Sequence, residues 1–335
     1  ALIAKEYLQQ RAISDEMINL YGLGFAPAGR QLLVSRASTE QLRACAELKL
    51  IHDNGTGRAD LFQNRLMFPI RDSRGRTVAF AGRTLVGERS KYINSSESAV
   101  FHKSNLLYGL WEARKQSRKL DQLIVVEGYL DVIALAQFGI TNTVAAMGTA
   151  TNEQNLSNLL SASNDILFCF DGDRAGVAAA NKALNHILPL LEDGHKVSFL
   201  VLPEGDDPDS LVRKEGADQF KSRINAATPL SEYFFKAFGS GLNLSIPEDK
   251  GILSSRCKEA LQKVRARVLK DGLYQRLREL TRSPKWNKSS YYNSRRNQPG
   301  LALVAEDPVE VPNRTVAKVC LGLYQNPGWA KDICY

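Results

Sequence analysis

The most constraining feature of this chain is a run of short apolar segments that alternate with helical ones between residues 121 and 206. "LIVVEG", "NTVAAMG", "DILFCFDGD" and "KVSFLVLPEGDDPD" each read as a strand. Between them, "YLDVIALAQFG", "NEQNLSNLLSAS" and "RAGVAAANKALNHILPLLEDG" space their apolar residues as helices do. Gly139 suits the C-terminal end of the first helix, and Thr151 or Asn152 the N-terminal cap of the second. Strand–helix alternation with such short connections predicts a parallel sheet with right-handed crossovers. The near-continuous apolar strands predict a sheet covered on both faces.

That topology decides where the acids go. The C-termini of parallel strands share one edge, and that edge is where ligands bind. Glu127 ends the first strand, Asp171 and Asp173 end the third, and the fourth runs into Asp207 and Asp209. Asp131 follows Glu127 by one helical turn. Crowded carboxylates repel one another, and uncompensated burial of their charge is costly. A hard divalent cation, magnesium above all, is the natural compensation. Gly128 and Gly172 are expected to leave space beside the metal, and Gly176 to permit close helix packing. "DGD" and "DPD" are also ordinary turn sequences. Their recurrence at strand ends, in this order, is what turns them into a candidate site.

The flanks differ in character. Residues 1–118 are mixed, with helical patterns near 3–20 and 39–50 and two strand-like runs around "DSRG", a hairpin signal. "KYINSSESAVFHKSNLLYGL" reads as polar loop until its apolar end. Residues 207–282 turn helical and end in a Lys/Arg-rich stretch, 283–312 read as a linker, and 313–335 open a further helix. The net charge of +8 favours a polyanionic partner, although a basic surface also simply solubilises. The five cysteines are scattered and form no C-x-x-C pair, which argues against both a zinc site and a disulfide framework. Cys169 is expected in a buried strand, and His52, His102, His186 and His195 on the surface or in loops. No apolar run reaches the roughly 18 residues of a membrane span. The opening "ALIAKEYLQQR" reads as an amphipathic helix without signal-peptide features, so a piece of a longer cytosolic protein is expected.

"VVEGYLD", "FDGDRAG" and "GDDPD" resemble the three signature motifs of the topoisomerase–primase (Toprim) domain. "RLMFPIRDSRGRTVAFAGR", "KYINSSE", "FHK", "LYGL", "YLQQRAIS" and "LGFAP" resemble the RNA polymerase core of bacterial DNA primases of the DnaG type. The resemblance covers roughly residues 1–282. It implies a basic mixed α+β N-terminal subdomain (1–118), a central Toprim parallel α/β sheet (121–206), a C-terminal helical subdomain (207–282), and a cut-short start of a helicase-binding domain at 313–335.

The activity implied is magnesium-dependent synthesis of short RNA primers from ribonucleoside triphosphates on single-stranded DNA, with manganese as an alternative ion. Glu127, Asp171 and Asp173 would be catalytic. The metal set would be those three with Asp207, Asp209 and Asp131. Two cations would activate the 3′-hydroxyl and neutralise the leaving pyrophosphate.

Arg65, Arg83, Lys91 and Lys103 match basic positions that face the acidic rim in the family. With Tyr92, Asn94 and Arg11 they would hold template and nucleotide. The competing reading of each is an exposed charge or a packed aromatic, and the functional one is favoured, most of all for Arg83, Lys91 and Lys103. Zinc would belong to a separate N-terminal domain, and replicative helicase to the C-terminal one. The implied setting is the cytoplasmic replication fork, without membrane. Where the family often carries extra arginines before "MFPI", this chain has Leu61 and Gln63. Alternatives are another Toprim enzyme (a nuclease or topoisomerase) and a non-catalytic single-strand-binding module.

Overall fold

A computed structural model describes residues 2–53, 57–85, 90–117, 119–147 and 152–282. Residues 1–282 form one compact unit. The expected linker and the segment 313–335 lie outside the described residues, as does Thr151.

The chain opens with helices α1 (Leu2–Gln10) and α2 (Asp15–Tyr21), followed by strand β1 (Gly24–Ala26). Helices α3 (Leu32–Arg36) and α4 (Thr39–Glu47) precede a small ribbon of β2 (Ile51–Asp53) and β3 (Arg58–Asp60). The expected hairpin is β4 (Arg65–Arg71) and β5 (Thr77–Thr84). Its turn is closed by Asp72, whose Oδ1 accepts from the amides of Arg74 and Arg76 at 2.9 and 3.0 Å. Gly75 supplies the left-handed residue there, at φ +81°. The stretch read as loop contains a strand, β6 (Tyr92–Asn94), which pairs with β5 so that Ala81 lies opposite Asn94. The result is a sheet of order β1-β4-β5-β6.

The next elements are β7 (Leu107–Tyr108), α5 (Leu110–Gln116), β8 (Leu123–Val126), α6 (Tyr129–Gln137), β9 (Thr143–Ala146), α7 (Glu153–Ala162), β10 (Asp165–Phe170), α8 (Arg174–Ile187) and β11 (Lys196–Val201). Asn152 caps α7 as expected, accepting from Asn155 N at 2.7 Å. Gly139 follows the end of α6 at φ +77°. The helical part holds α9 (Pro208–Asn225), the short strand β12 (Thr228–Pro229), α10 (Leu230–Phe238), α11 (Pro247–Gln262) and α12 (Arg267–Thr281).

Six of these strands form one sheet, in the order β12-β11-β10-β8-β9-β7. The inner four are parallel, as the sequence predicts. Both edge strands are antiparallel and come from outside the 121–206 segment. Alternate strand residues feed two cores. Val125, Phe168 and Phe199 pack with α7, α8 and the α10–α12 helices. Ile124, Leu167 and Cys169 pack with α6, α9, α1, α2 and the β4–β5 hairpin. The hairpin sheet is therefore docked on the α6 side by apolar contact, through Phe68 and Ile70, both 0 % exposed. Truncating a side chain such as Phe68 to alanine would cost about 3–5 kcal/mol. No helix among the described residues is long and apolar enough to cross a membrane.

Candidate active site at the carboxyl edge of the sheet

Strands β8, β10 and β11 run side by side in the same direction, so their ends deliver Glu127, Asp171 and the 203–209 loop to one rim. The backbone N–H of Asp171 lies near the Glu127 carboxylate and favours its charged form. Burial, then the charges of Glu127, Asp207 and Asp173, push the Asp171 carboxyl up to about 6, while Lys91 pulls the other way. Glu127 is raised as well, by burial first and by Asp173, against the stabilising Asp171 amide. The Oδ1 atom of Asp171 is buried without a hydrogen-bond partner. Among the described residues the rim is thus a concentration of negative charge that Lys91 only partly offsets.

Three of the expected acids also hold helix N-termini. Asp131 accepts from Gly128 N at 3.0 Å at the head of α6. Asp173 accepts from Gly176 N at 2.7 Å on α8, and Asp207 from Ser210 N at 2.6 Å on α9. Their positions follow from capping preference and from the attraction of a helix N-terminus for anions. Burial, with Asp207, Asp171 and Asp209 nearby, pushes Asp131 up to about 8, and the Asp209 backbone N–H partly offsets this.

Asp209 departs from the metal-ligand expectation. It is 0 % exposed and is clasped by two guanidinium groups, Arg11 and Arg213, the latter at 2.8 Å. Both carboxylate oxygens are spent on arginine. Arg11 is correspondingly drawn inward and away from a phosphate-holding role, with its guanidinium 5.5 Å from the Tyr7 ring centroid.

Other expected contacts are also redirected. Arg65 is 5 % exposed and donates to the carbonyls of Gly82 and Ser90. It is a buried strand residue, and Gly82, diagonal to it in the partner strand, leaves it room: a Cβ there would lie 3.0 Å from Arg65 Cδ. Tyr92 is packed against Phe68 and Tyr129, and its hydroxyl accepts from Arg83 at 2.7 Å. Asn94 accepts from the Tyr129 hydroxyl at 3.1 Å. Both are engaged inside the protein and not presented to a base.

Arg83 lies 5.0 and 5.1 Å from the Tyr7 and Tyr92 ring centroids, with its Nε buried and unpartnered. Lys91 is exposed beside the rim. Lys103 is half-buried just before β7, whose start lies opposite Ala146 at the carboxyl end of β9. The glycines also serve neighbours other than a metal. A Cβ on Gly172 would meet the Pro203 carbonyl oxygen at 1.7 Å, and one on Gly128 would meet the Asp131 carboxylate at 2.5 Å. Gly176 sits against the Asp171 carbonyl, at 2.1 Å from such an atom.

The donor set suits a hard cation: carboxylate oxygens, one of them buried and unsatisfied. Among the described residues no three acidic, histidine or cysteine side chains converge into a ready-made cage. The histidines take no part. His52, His102 and His186 are exposed and His195 is half-buried. Cys169 is buried in β10 as expected.

Comparison with known proteins agrees with this geometry. Residues 2–114 match the family described as the N-terminal domain of the DNA primase catalytic core, and residues 124–212 match the Toprim-like family. The DNA primase of Pseudomonas aeruginosa is 48% identical over 283 residues, covering 83% of this chain and 43% of that protein. The crystal structure of a DNA primase domain from the same organism superposes with a TM-score of 0.80 at 48% identity, over 82% of this chain and 88% of that one. A DnaG primase catalytic domain bound to single-stranded DNA superposes with a TM-score of 0.77 at 40% identity, over 83% and 90%. The chain spans about half the length of the curated relatives it matches, 43% in one case and 56% in another.

Proposed function

This chain belongs to the DnaG-type bacterial DNA primase family, and we propose that it holds the polymerising centre of such an enzyme, which joins ribonucleoside triphosphates into short RNA primers on a single-stranded DNA template. The observation that carries this reading is the unpartnered, buried Asp171 Oδ1 among mutually repelling carboxylates, with the Lys91 charge close enough to act on Asp171. Such a rim is stable when it meets cations and phosphates together.

Glu127, Asp171, Asp173 and the free oxygen of Asp207 would hold magnesium, with manganese as a substitute. The bound ions would lower the pKa of the attacking 3′-hydroxyl and neutralise charge on the leaving pyrophosphate. Glu127 would serve as general base for the hydroxyl proton only where it is not itself coordinated to a cation. Asp131 orients the Glu127 turn through the Gly128 amide. Lys91, Lys103 and Arg83 would hold template and triphosphate phosphates. The single-stranded DNA bound by the related catalytic domain supports the template assignment. Binding of the replicative helicase would fall to the segment 313–335 and not to residues 1–282.

The test is incorporation of labelled ribonucleotides on a single-stranded template, with and without magnesium. Magnesium-dependent RNA synthesis is expected. Template degradation without ribonucleotides would make the chain a nuclease, and binding in chelator without synthesis would make it a non-catalytic module.

A further inference from the structure

The ion pair between Arg11 and Asp209 joins residues 198 positions apart and lies at one end of a longer tie. Asp209 sits in the first turn of α9 with both carboxylate oxygens on arginine. Its helix α9 packs against α6, which brings its backbone N–H near Asp131, where it favours the charged carboxylate. Asp131 in turn accepts from Gly128 N, the residue that follows Glu127. The chain of contacts therefore runs from Arg11 through Asp209 and Asp131 to the turn that carries Glu127.

The other end of α6 is held to the same N-terminal corner. Gln137 donates from Nε2 to the Ala12 carbonyl at 2.5 Å and accepts from Ser14 N at 2.7 Å. Ala12 between them takes the left-handed conformation, φ +53°, which tightens the corner between α1 and α2. The corner formed by residues 11–14 thus meets the tail of α6 directly and reaches its head through Asp209 on α9.

We propose that Arg11 is a positioning residue, which through Asp209 and Asp131 fixes the Glu127 turn against the head of α9. The N-terminal corner acts as a strut for the rim. This rests on the polymerase reading for what the rim does, and not for the tie itself. A buried carboxylate that loses one of two guanidinium partners must move or find water, and the α9 turn moves with it. Arg11 in this role never touches the template.

The experiment uses Arg11→Ala, Arg11→Lys, Asp209→Asn and the double variant Arg11→Ala/Asp209→Asn, each checked for folding by thermal melting. Three quantities are read: ribonucleotide incorporation, template affinity across a salt series, and hydrogen exchange at the Gly128 and Asp209 amides. The strut predicts a fall in kcat of about 10–100-fold in Arg11→Ala, the scale of a small misplacement of reacting groups. Template affinity and its salt slope stay unchanged, Arg11→Lys recovers most of the rate, and the double variant is no worse than the worse single one.

Exchange at the two amides rises in Arg11→Ala and falls back in Arg11→Lys. If Arg11→Ala does not fold, Arg11→Lys and the double variant carry the same comparison. A reduced salt slope with kcat intact would make Arg11 a phosphate contact and overturn the proposal. So would unchanged exchange at both amides. Absence of incorporation by the unaltered chain would refute the polymerase reading alone, and the exchange measurement would still decide the strut.

Discussion

Glu127 and Asp171 follow the ends of two adjacent parallel strands, and the charge of Glu127 helps push the Asp171 carboxyl up. The two residues therefore share one electrostatic environment. Glu127→Gln and Asp171→Asn are each expected to lower primer synthesis by at least about a hundredfold, the usual scale for losing a positioned acid–base or charge-stabilising group. Binding of single-stranded DNA should be retained in both. Product yield per bound template is the measurement, and a normal yield in either variant refutes the assignment.

Asp171 also makes a pH-dependent contribution of known sign. Its carboxyl is raised to about 6 in the folded chain, above the ordinary value of 3.8. A raised carboxyl favours the fold when protonated. That contribution is complete below about pH 4 and is lost as pH climbs through about 6. Asp171→Asn should therefore stabilise the metal-free protein at pH 7.5 and leave it unchanged near pH 4. After allowance for solvent screening of this half-buried group the gain is about 1 kcal/mol, or roughly 2–4 °C in melting temperature. Melting in chelator at the two pH values checks it, and magnesium at pH 7.5 should help the unaltered protein more than the variant.

Lys91 is exposed, and its charge reaches Asp171. As a phosphate contact it should release about one counterion. Lys91→Ala is expected to weaken single-strand binding and to flatten the salt dependence by about 0.7 in slope. A titration from low to moderate salt measures both, and an unchanged slope would leave Lys91 as a counter-charge to the acids alone.

Gly172 and Gly139 differ in what surrounds them. A Cβ on Gly172 would run into the Pro203 carbonyl, whereas one on Gly139 would meet nothing within 4 Å and would suffer only from φ +77°. Gly139→Ala should cost about 1 kcal/mol. Gly172→Ala should displace the 203–207 loop and with it Asp207, so that synthesis collapses even where the protein still folds. Melting temperatures and incorporation rates of the pair, taken together, test the difference.

The parallel strands, the Asn152 cap and the β4–β5 hairpin were legible because each is written in local periodicity or turn chemistry. Strand β6 was not. Tyr92–Asn94 is short and polar, and becomes a strand only through its pairing with β5. The acids at the rim were readable from topology, but their division of labour was not. Capping by Asp131, Asp173 and Asp207 follows from local preference. The Asp209–Arg213 pair lies at a helical i, i+4 spacing and was available to inspection. Its second partner, Arg11, lies 198 residues away and leaves no local signal. Arg65 misled for a related reason: whether a strand arginine faces solvent depends on its neighbours in the partner strand, here the diagonal Gly82.

The two edge strands of the main sheet, β7 and β12, come from segments on either side of the stretch that matches the Toprim-like family at 124–212. A fragment cut at those borders would leave the flanks of β9 and β11 with unsatisfied backbone amides and carbonyls, an invitation to pair with other copies. The catalytic half is therefore not a portable cassette. Its sheet is completed by β7, which lies in the match to the primase N-terminal domain, and by β12, which lies in neither match.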